Sequence, residues 1–186
     1  MYAKMRRSTS LIAVLALALA GLGTASVSAD SGAASYEYLI GTGVLCGFDP
    51  SACPDVTMAA NGDTIVMTGT GTLSIHPKSV SGGGDFTHNF AGGGSVSGTW
   101  TAKQLLSFNG YGCGGEGLPD DFCGGQAVIR VQLFVGGVHV ADGTLQVDCL
   151  IGTFPAGAVE GVRLAVQGGP NFNREVSGFT LFILQP

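Results

Sequence analysis

The segment Ala-Val-Ile-Arg-Val-Gln-Leu-Phe-Val, residues 127–135, carries the pattern that decides the fold. Hydrophobic side chains occupy every second position from Ala127, and the positions between them include Arg130 and Gln132. A period of two is typical of a β-strand with one buried face and one solvent-facing face. Further strand-like runs occur at residues 36–46, 64–75, 86–90, 96–108, 145–151, 162–166 and 179–184. In the run 96–108 the inward face is predicted to hold Trp100 and Leu106.

Short segments rich in Gly, Asn and Asp separate these runs. They are Asn61-Gly62, Gly82-Gly83-Gly84, Gly92-Gly93-Gly94, Asn109-Gly110, Gly136-Gly137, Asp142-Gly143 and Gly168-Gly169. Such residues favour the tight turns that join antiparallel strands. After residue 30 no segment sustains the apolar spacing of an amphipathic helix. The sequence therefore predicts an all-β fold, an antiparallel β-sandwich or jelly roll of about eight or nine strands.

A small outer-membrane β-barrel has the same period and is the alternative architecture. Such barrels carry aromatic girdles at both membrane interfaces. In this chain aromatic residues make up 8%, and the sequence ends Leu184-Gln185-Pro186. These features favour the sandwich.

Residues 1–29 have the three parts of a secretory signal peptide. Basic residues near the start are followed by the apolar run 11–22 and by the small-residue site Val27-Ser28-Ala29. The run is shorter than the roughly 20 residues that span a membrane. We expect cleavage of residues 1–29 and a single secreted domain over residues 30–186, in the extracellular space or the periplasm.

The charge of the predicted mature chain excludes two classes of partner. It retains five Lys and Arg and all thirteen Asp and Glu, a net charge of −8. The basic residues are Lys78, Lys103, Arg130, Arg163 and Arg174, which are isolated from one another in the sequence. Without a basic cluster we expect neither nucleic-acid binding nor membrane insertion.

Five cysteines in an exported chain predict disulfides and one unpaired thiol. Cys46 and Cys53 bracket a short turn-like segment, and Cys113 and Cys123 bracket another, so each pair is predicted to close a local loop. Cys149 is in phase with Leu145 and Val147, which predicts an inert core thiol. The alternative joins Cys149 to Cys46 and leaves Cys53 free.

Candidate ligand-binding residues are His88, Tyr111, Asp120 and Phe122. His88 lies between Phe86 and Phe90 on one strand face, either as a core residue or as the polar point of a pocket. The other three lie in or beside the second cysteine loop, where an exposed aromatic and acidic patch is expected.

Asp120 and Asp121 form a candidate calcium site, because calcium favours clustered carboxylates on irregular loops. Calcium is the one cofactor that the sequence suggests.

No catalytic residue is assigned. The sequence has no nucleophile elbow and no zinc-protease motif. Glycoside hydrolysis needs two carboxyl groups across a cleft, but Glu37 and Glu160 fall opposite hydrophobic positions and are predicted to face solvent.

These observations predict a secreted, non-enzymatic β-sandwich that acts as a surface, matrix or ligand-binding module. Its expected partners are an extracellular glycan or further copies of itself, through sheet edges. The alternative function is that of a small secreted hydrolase of polysaccharide.

Overall fold

The computed structural model describes residues 34–186, so the predicted signal peptide lies outside the described residues. The strands are β1 (Ser35–Ile40), β2 (Asp55–Ala59), β3 (Thr64–Ser74), β4 (Ser79–Asn89), β5 (Ser95–Gly115), β6 (Leu118–Val135), β7 (Val138–Cys149), β8 (Gly161–Val166), β9 (Asn171–Ser177) and β10 (Thr180–Leu184). The short helix α1 (Val44–Phe48) and a 3-10 turn (Pro50–Ala52) lie between β1 and β2.

All ten strands belong to one antiparallel sheet, in the order β1-β10-β6-β5-β4-β3-β2-β9-β8-β7. The sheet closes on itself, because β1 also pairs with β3 and β7 also pairs with β6. The inward faces enclose one hydrophobic core, in which Ile129, Val131 and Leu133 of β6 are buried as predicted. The predicted all-β, antiparallel, sandwich-like fold is confirmed.

β5 departs from strict alternation. Its residues Ala102, Leu105 and Phe108 lie opposite every second residue of β6, so Lys103 and Leu106 are the extra residues of two β-bulges. Leu105 consequently enters the core and Leu106 does not. The prediction that Leu106 faces inward is therefore wrong.

The turn predicted at Gly82–Gly84 is also wrong, because these glycines lie inside β4 and pair with Gly69–Gly71 of β3. The aromatic rings of Tyr38 and Trp100 pack over this part of the sheet. Tyr38 Oη donates a hydrogen bond to Ser81 O at 2.9 Å. A Cβ atom added at Gly71 would overlap the Tyr38 hydroxyl group, so the glycines provide space for the rings.

Some of the other local predictions are confirmed and others are wrong. The turns at residues 61–62, 92–94, 136–137 and 168–169 are confirmed, whereas Asn109-Gly110 and Asp142-Gly143 lie inside β5 and β7. The first strand ends at Ile40 instead of continuing to Cys46. β2 and β9 were not predicted, because β2 buries the polar residues Asp55 and Thr57 and β9 has little hydrophobic character.

Candidate functional site

The outward faces of β5, β6, β7 and β8 form a polar groove. Arg130 and Gln132 of β6 alternate with the buried core residues and lie opposite Thr144 and Asp142 of β7. The backbone N–H of Gln167 donates to Asp142 O at 2.9 Å, which brings the end of β8 to the same place. The groove has a volume of about 650 Å³ and is lined by Lys103, Arg130, Gln132, Asp142, Gly143, Thr144, Ala165, Val166 and Gln167. This volume falls within the usual range of small-molecule sites.

Differences in side-chain length and one bulge shape this groove. Thr144 and Ala165 contribute short side chains, whereas Arg130 and Gln167 are long and flank them. Lys103 is the extra residue of the first bulge in β5, and it is exposed beside Arg130. A bulge changes the direction of a side chain without ending the strand, so Lys103 joins a surface formed mainly by other strands.

Most polar side chains of the groove have no partner within the described part of the chain. Among residues 34–186, no hydrogen bond or ion pair engages the side chains of Lys103, Arg130, Gln132, Thr144 or Gln167. The other basic residues of this part have contacts. Lys78 donates to Leu106 O at 3.0 Å, Arg163 bonds Asp148 at 3.2 Å, and Arg174 contacts the sulfur of Met58.

One rim of the groove is aromatic and acidic. Asp142 lies 3.4 Å from Nε2 of His139, and the His139 ring packs on Phe134 with a centroid distance of 5.6 Å. Phe134 follows Gln132 on the outward face of β6. The rim therefore adds an apolar ring to a surface that otherwise offers hydrogen-bonding groups.

A second polar region consists of buried and partly buried acidic residues; we call Asp55, Asp148, Glu160 and Glu175 the carboxylate cluster. Asp148 of β7 is fully buried, and its carboxylate accepts hydrogen bonds from Tyr111, Gln126, Gln146 and Arg163 at 2.6–3.2 Å. Burial, and secondarily the bond to Asp148, raises the pKa of Tyr111 to about 12. These four hydrogen bonds replace those that the Asp148 carboxylate would make with water, so the role of Asp148 is structural.

Asp55 has no such compensation. It is 0% exposed, its Oδ1 accepts only a long hydrogen bond from Val162 N at 3.4 Å, and Oδ2 has no partner within the described chain. Gly161, at φ +92°, borders the carboxyl group, since a Cβ there would lie 3.0 Å from Oδ2. Burial raises the pKa of Asp55 to about 7, and the charges of Glu175 and Glu160 contribute in the same direction.

Glu160 corrects a prediction, because its carboxylate does not face solvent. It accepts hydrogen bonds from Leu150 N at 2.7 Å, Thr180 N at 2.9 Å and Thr180 Oγ1 at 3.0 Å. Burial raises the pKa of this carboxyl group. Glu160 thus ties the segment after β7 to the start of β10.

His88 is held by contacts within the protein. Its Nε2 lies 2.9 Å from Asp63 Oδ2, and its ring packs against Phe90 and Phe172. Hydrogen bonds from Ala91 N and from His88 lower the pKa of Asp63. His88 does not line the groove, and its predicted role in ligand binding stays a prediction.

The other three predicted ligand-binding residues also lie outside the groove lining. Tyr111 of β5 bonds Asp148, whereas Phe122 of β6 packs edge-on against Phe48 at a centroid distance of 5.9 Å. Asp120 is exposed near the tip of the β5–β6 hairpin.

The calcium hypothesis for Asp120 and Asp121 requires an irregular loop, and the structure has a strand there. The two residues occupy successive positions of β6, so their side chains point to opposite faces. In the part of the chain that the structure describes, no group of three or more His, Cys, Asp or Glu residues is placed to hold a metal ion.

The cysteine predictions are confirmed. Cys46 bonds Cys53, Cys113 bonds Cys123, and Cys149 is free and 2% exposed. Burial raises the pKa of the Cys149 thiol to about 12, far from that of a reactive thiol.

Comparisons of the chain with known protein families, curated proteins and solved structures find no match. No helix within residues 34–186 is long and apolar enough to cross a membrane.

The groove residues were not identified from the sequence. The sequence signal for these residues is the alternation in residues 127–135, which places Arg130 and Gln132 on the outward face. The missing information was that β7 and β8 lie beside β6, and that a bulge turns Lys103 toward the same hollow.

Proposed function

We propose that this protein is an exported, non-enzymatic binding module that holds an extracellular glycan in the groove on β5–β8. The observation that carries the proposal is a hollow of about 650 Å³ whose polar side chains, apart from Asp142, have no partners in residues 34–186. The strands fix the backbone positions of these residues, so a ligand orders their side chains without ordering the chain itself. Amide and hydroxyl groups such as those of Gln132, Thr144 and Gln167 match the hydroxyl groups of a sugar.

Export is supported by two observations. The signal-peptide pattern of residues 1–29 predicts it, and two disulfides in one small domain are typical of proteins that function outside the reducing cytoplasm. N-terminal sequencing of the exported protein is expected to give Asp30 as the first residue, and a product that retains residues 11–22 would contradict this part of the proposal.

Binding without turnover is favoured over hydrolysis by the positions of the carboxyl groups. The groove lining contains one carboxylate, Asp142, where hydrolysis of a glycoside ordinarily uses two. The carboxylate cluster does not supply a second, because none of its members lines the groove.

Assembly through sheet edges has less support than glycan binding. Each of the ten strands has hydrogen-bonded neighbours on both sides over at least part of its length. Little continuous edge is left for another chain to extend the sheet.

The test is binding of the exported chain to a panel of neutral and charged polysaccharides, measured by affinity electrophoresis and calorimetry. The double variant Gln132→Ala/Gln167→Ala should weaken binding about thirtyfold, since each lost hydrogen bond contributes about 1 kcal/mol and the two together about 2 kcal/mol. Asn109→Ala is the control, because Asn109 is an exposed amide on β5 away from the groove lining. Binding that both variants leave unchanged, or no binding to any member of the panel, would refute the proposal.

A further inference from the structure

We infer that the ligand of the groove is an anionic polysaccharide whose carboxylate or sulfate groups are bound by Lys103 and Arg130. The inference rests on the proposed function and adds the charge of the ligand to it.

The distribution of charge is the first observation. The predicted mature chain has thirteen acidic and five basic residues, yet two of the five basic side chains line one groove. The strand register places Arg130 opposite Gln104, directly after the bulge residue Lys103. A pair of cations in a hollow creates a local positive potential on an otherwise acidic protein, and this potential attracts anions to that place.

The availability of these cations is the second observation. Arg163 forms an ion pair with the buried Asp148, and Lys78 donates a hydrogen bond to a backbone carbonyl group. Lys103 and Arg130 have no such partner in residues 34–186. The nearest acidic group in the lining, Asp142, lies beside His139. Arg130 is therefore free to form the paired N–H···O contacts by which a guanidinium group recognises a carboxylate or sulfate.

The remaining lining distinguishes a polysaccharide from a small anion. Gln132, Thr144 and Gln167 extend the hydrogen-bonding surface beyond the two cations, and the hollow is larger than one anionic group needs. A sugar polymer with spaced charges presents both anionic groups and hydroxyl groups.

The experiment compares polymers that differ in charge. The exported chain is titrated with polygalacturonate, which carries carboxylates, with dextran sulfate, and with neutral dextran as the uncharged counterpart of the latter. Poly-L-glutamate is included as a polyanion without sugar. The variants are Lys103→Gln/Arg130→Gln and the control Lys78→Gln, which removes an exposed lysine outside the groove.

We expect at least one anionic polysaccharide to bind more tightly than dextran, with an affinity that falls as salt screens the charges. The groove double variant should lose about tenfold or more in affinity, and Lys78→Gln should lose none. Equal binding of dextran and the anionic polymers in the groove would overturn this inference and leave the proposed function standing. Binding of poly-L-glutamate as tightly as the anionic sugars, or anionic binding insensitive to the groove variants, would also overturn it. The absence of binding to every polymer would overturn both proposals.

Discussion

The substitution Asp55→Asn should make the protein more stable at neutral and alkaline pH. Asparagine keeps the shape of the side chain and an oxygen that can accept the hydrogen bond from Val162 N. It removes the buried negative charge, and its amide group can donate a hydrogen bond where the Oδ2 atom of Asp55 has no partner in the described chain. Glu160 and Glu175 are the acidic groups that act on this site, so the change also relieves their repulsion.

The magnitude follows from the difference in proton affinity between the folded and the unfolded chain. The pKa of Asp55 rises from 3.8 to about 7 on folding, and a tenfold change in proton affinity is worth about 1.4 kcal/mol. Because the folded pKa is the higher one, the stabilising effect of the bound proton is complete below about pH 4. It is lost as the pH rises toward 7, by about 4 kcal/mol at most.

Urea unfolding of both proteins, with disulfides intact, between about pH 4 and pH 8 measures this effect. The difference in the free energy of unfolding between variant and wild type should increase in favour of the variant across this range. Asp120→Asn, at an exposed carboxyl group, is the control and should show no such increase. A difference for Asp55→Asn that is constant with pH would refute the reasoning, because it would mean that Asp55 is ionised equally well in both states.

Three further predictions concern the buried groups and the glycines. Arg163→Met should lower the free energy of unfolding by about 3 kcal/mol in urea titrations, because it removes the positive charge that contacts the buried carboxylate of Asp148, whereas Tyr111→Phe should cost about 1 kcal/mol because it removes one neutral donor. Equal losses in the two variants would contradict this assignment. Cys149 should resist iodoacetamide at pH 8 in the native protein and react once the protein is unfolded in urea, and mass spectrometry should then find one alkylated thiol; rapid native labelling would contradict its burial. Gly71→Ala should lower the melting temperature, with a loss of about 1–3 kcal/mol from overpacking against the backbone oxygen of Ser81 and the ring of Tyr38, while Gly92→Ala, with open space at its Cβ position, should not. Unchanged stability of Gly71→Ala would contradict the close packing of β4 and Tyr38 around this glycine.

The sequence by itself determined the class of the fold and the inward face of β6, and it favoured the cysteine pairing that the structure shows. These features depend on local patterns, since alternation of period two fixes which side chains share a face and short cysteine spacings favour local bridges. Ile129 and Cys149 were placed correctly in the core for this reason. The sequence also showed that Arg130 and Gln132 face outward.

Tertiary structure decided which outward faces meet and where the alternation fails. Two of the bulges of β5 insert Lys103 and Leu106, and nothing local in the sequence distinguishes these residues from regular strand residues. In the sequence the glycines of β4 are typical of a turn. They lie in a strand because the rings of Tyr38 and Trp100, which are distant in the sequence, pack over them. Asp55 is buried only because β2 joins β3 to β9 inside the closed sheet. Pairings between distant strands decide all three outcomes, because a strand carries the same local pattern whichever neighbour it meets.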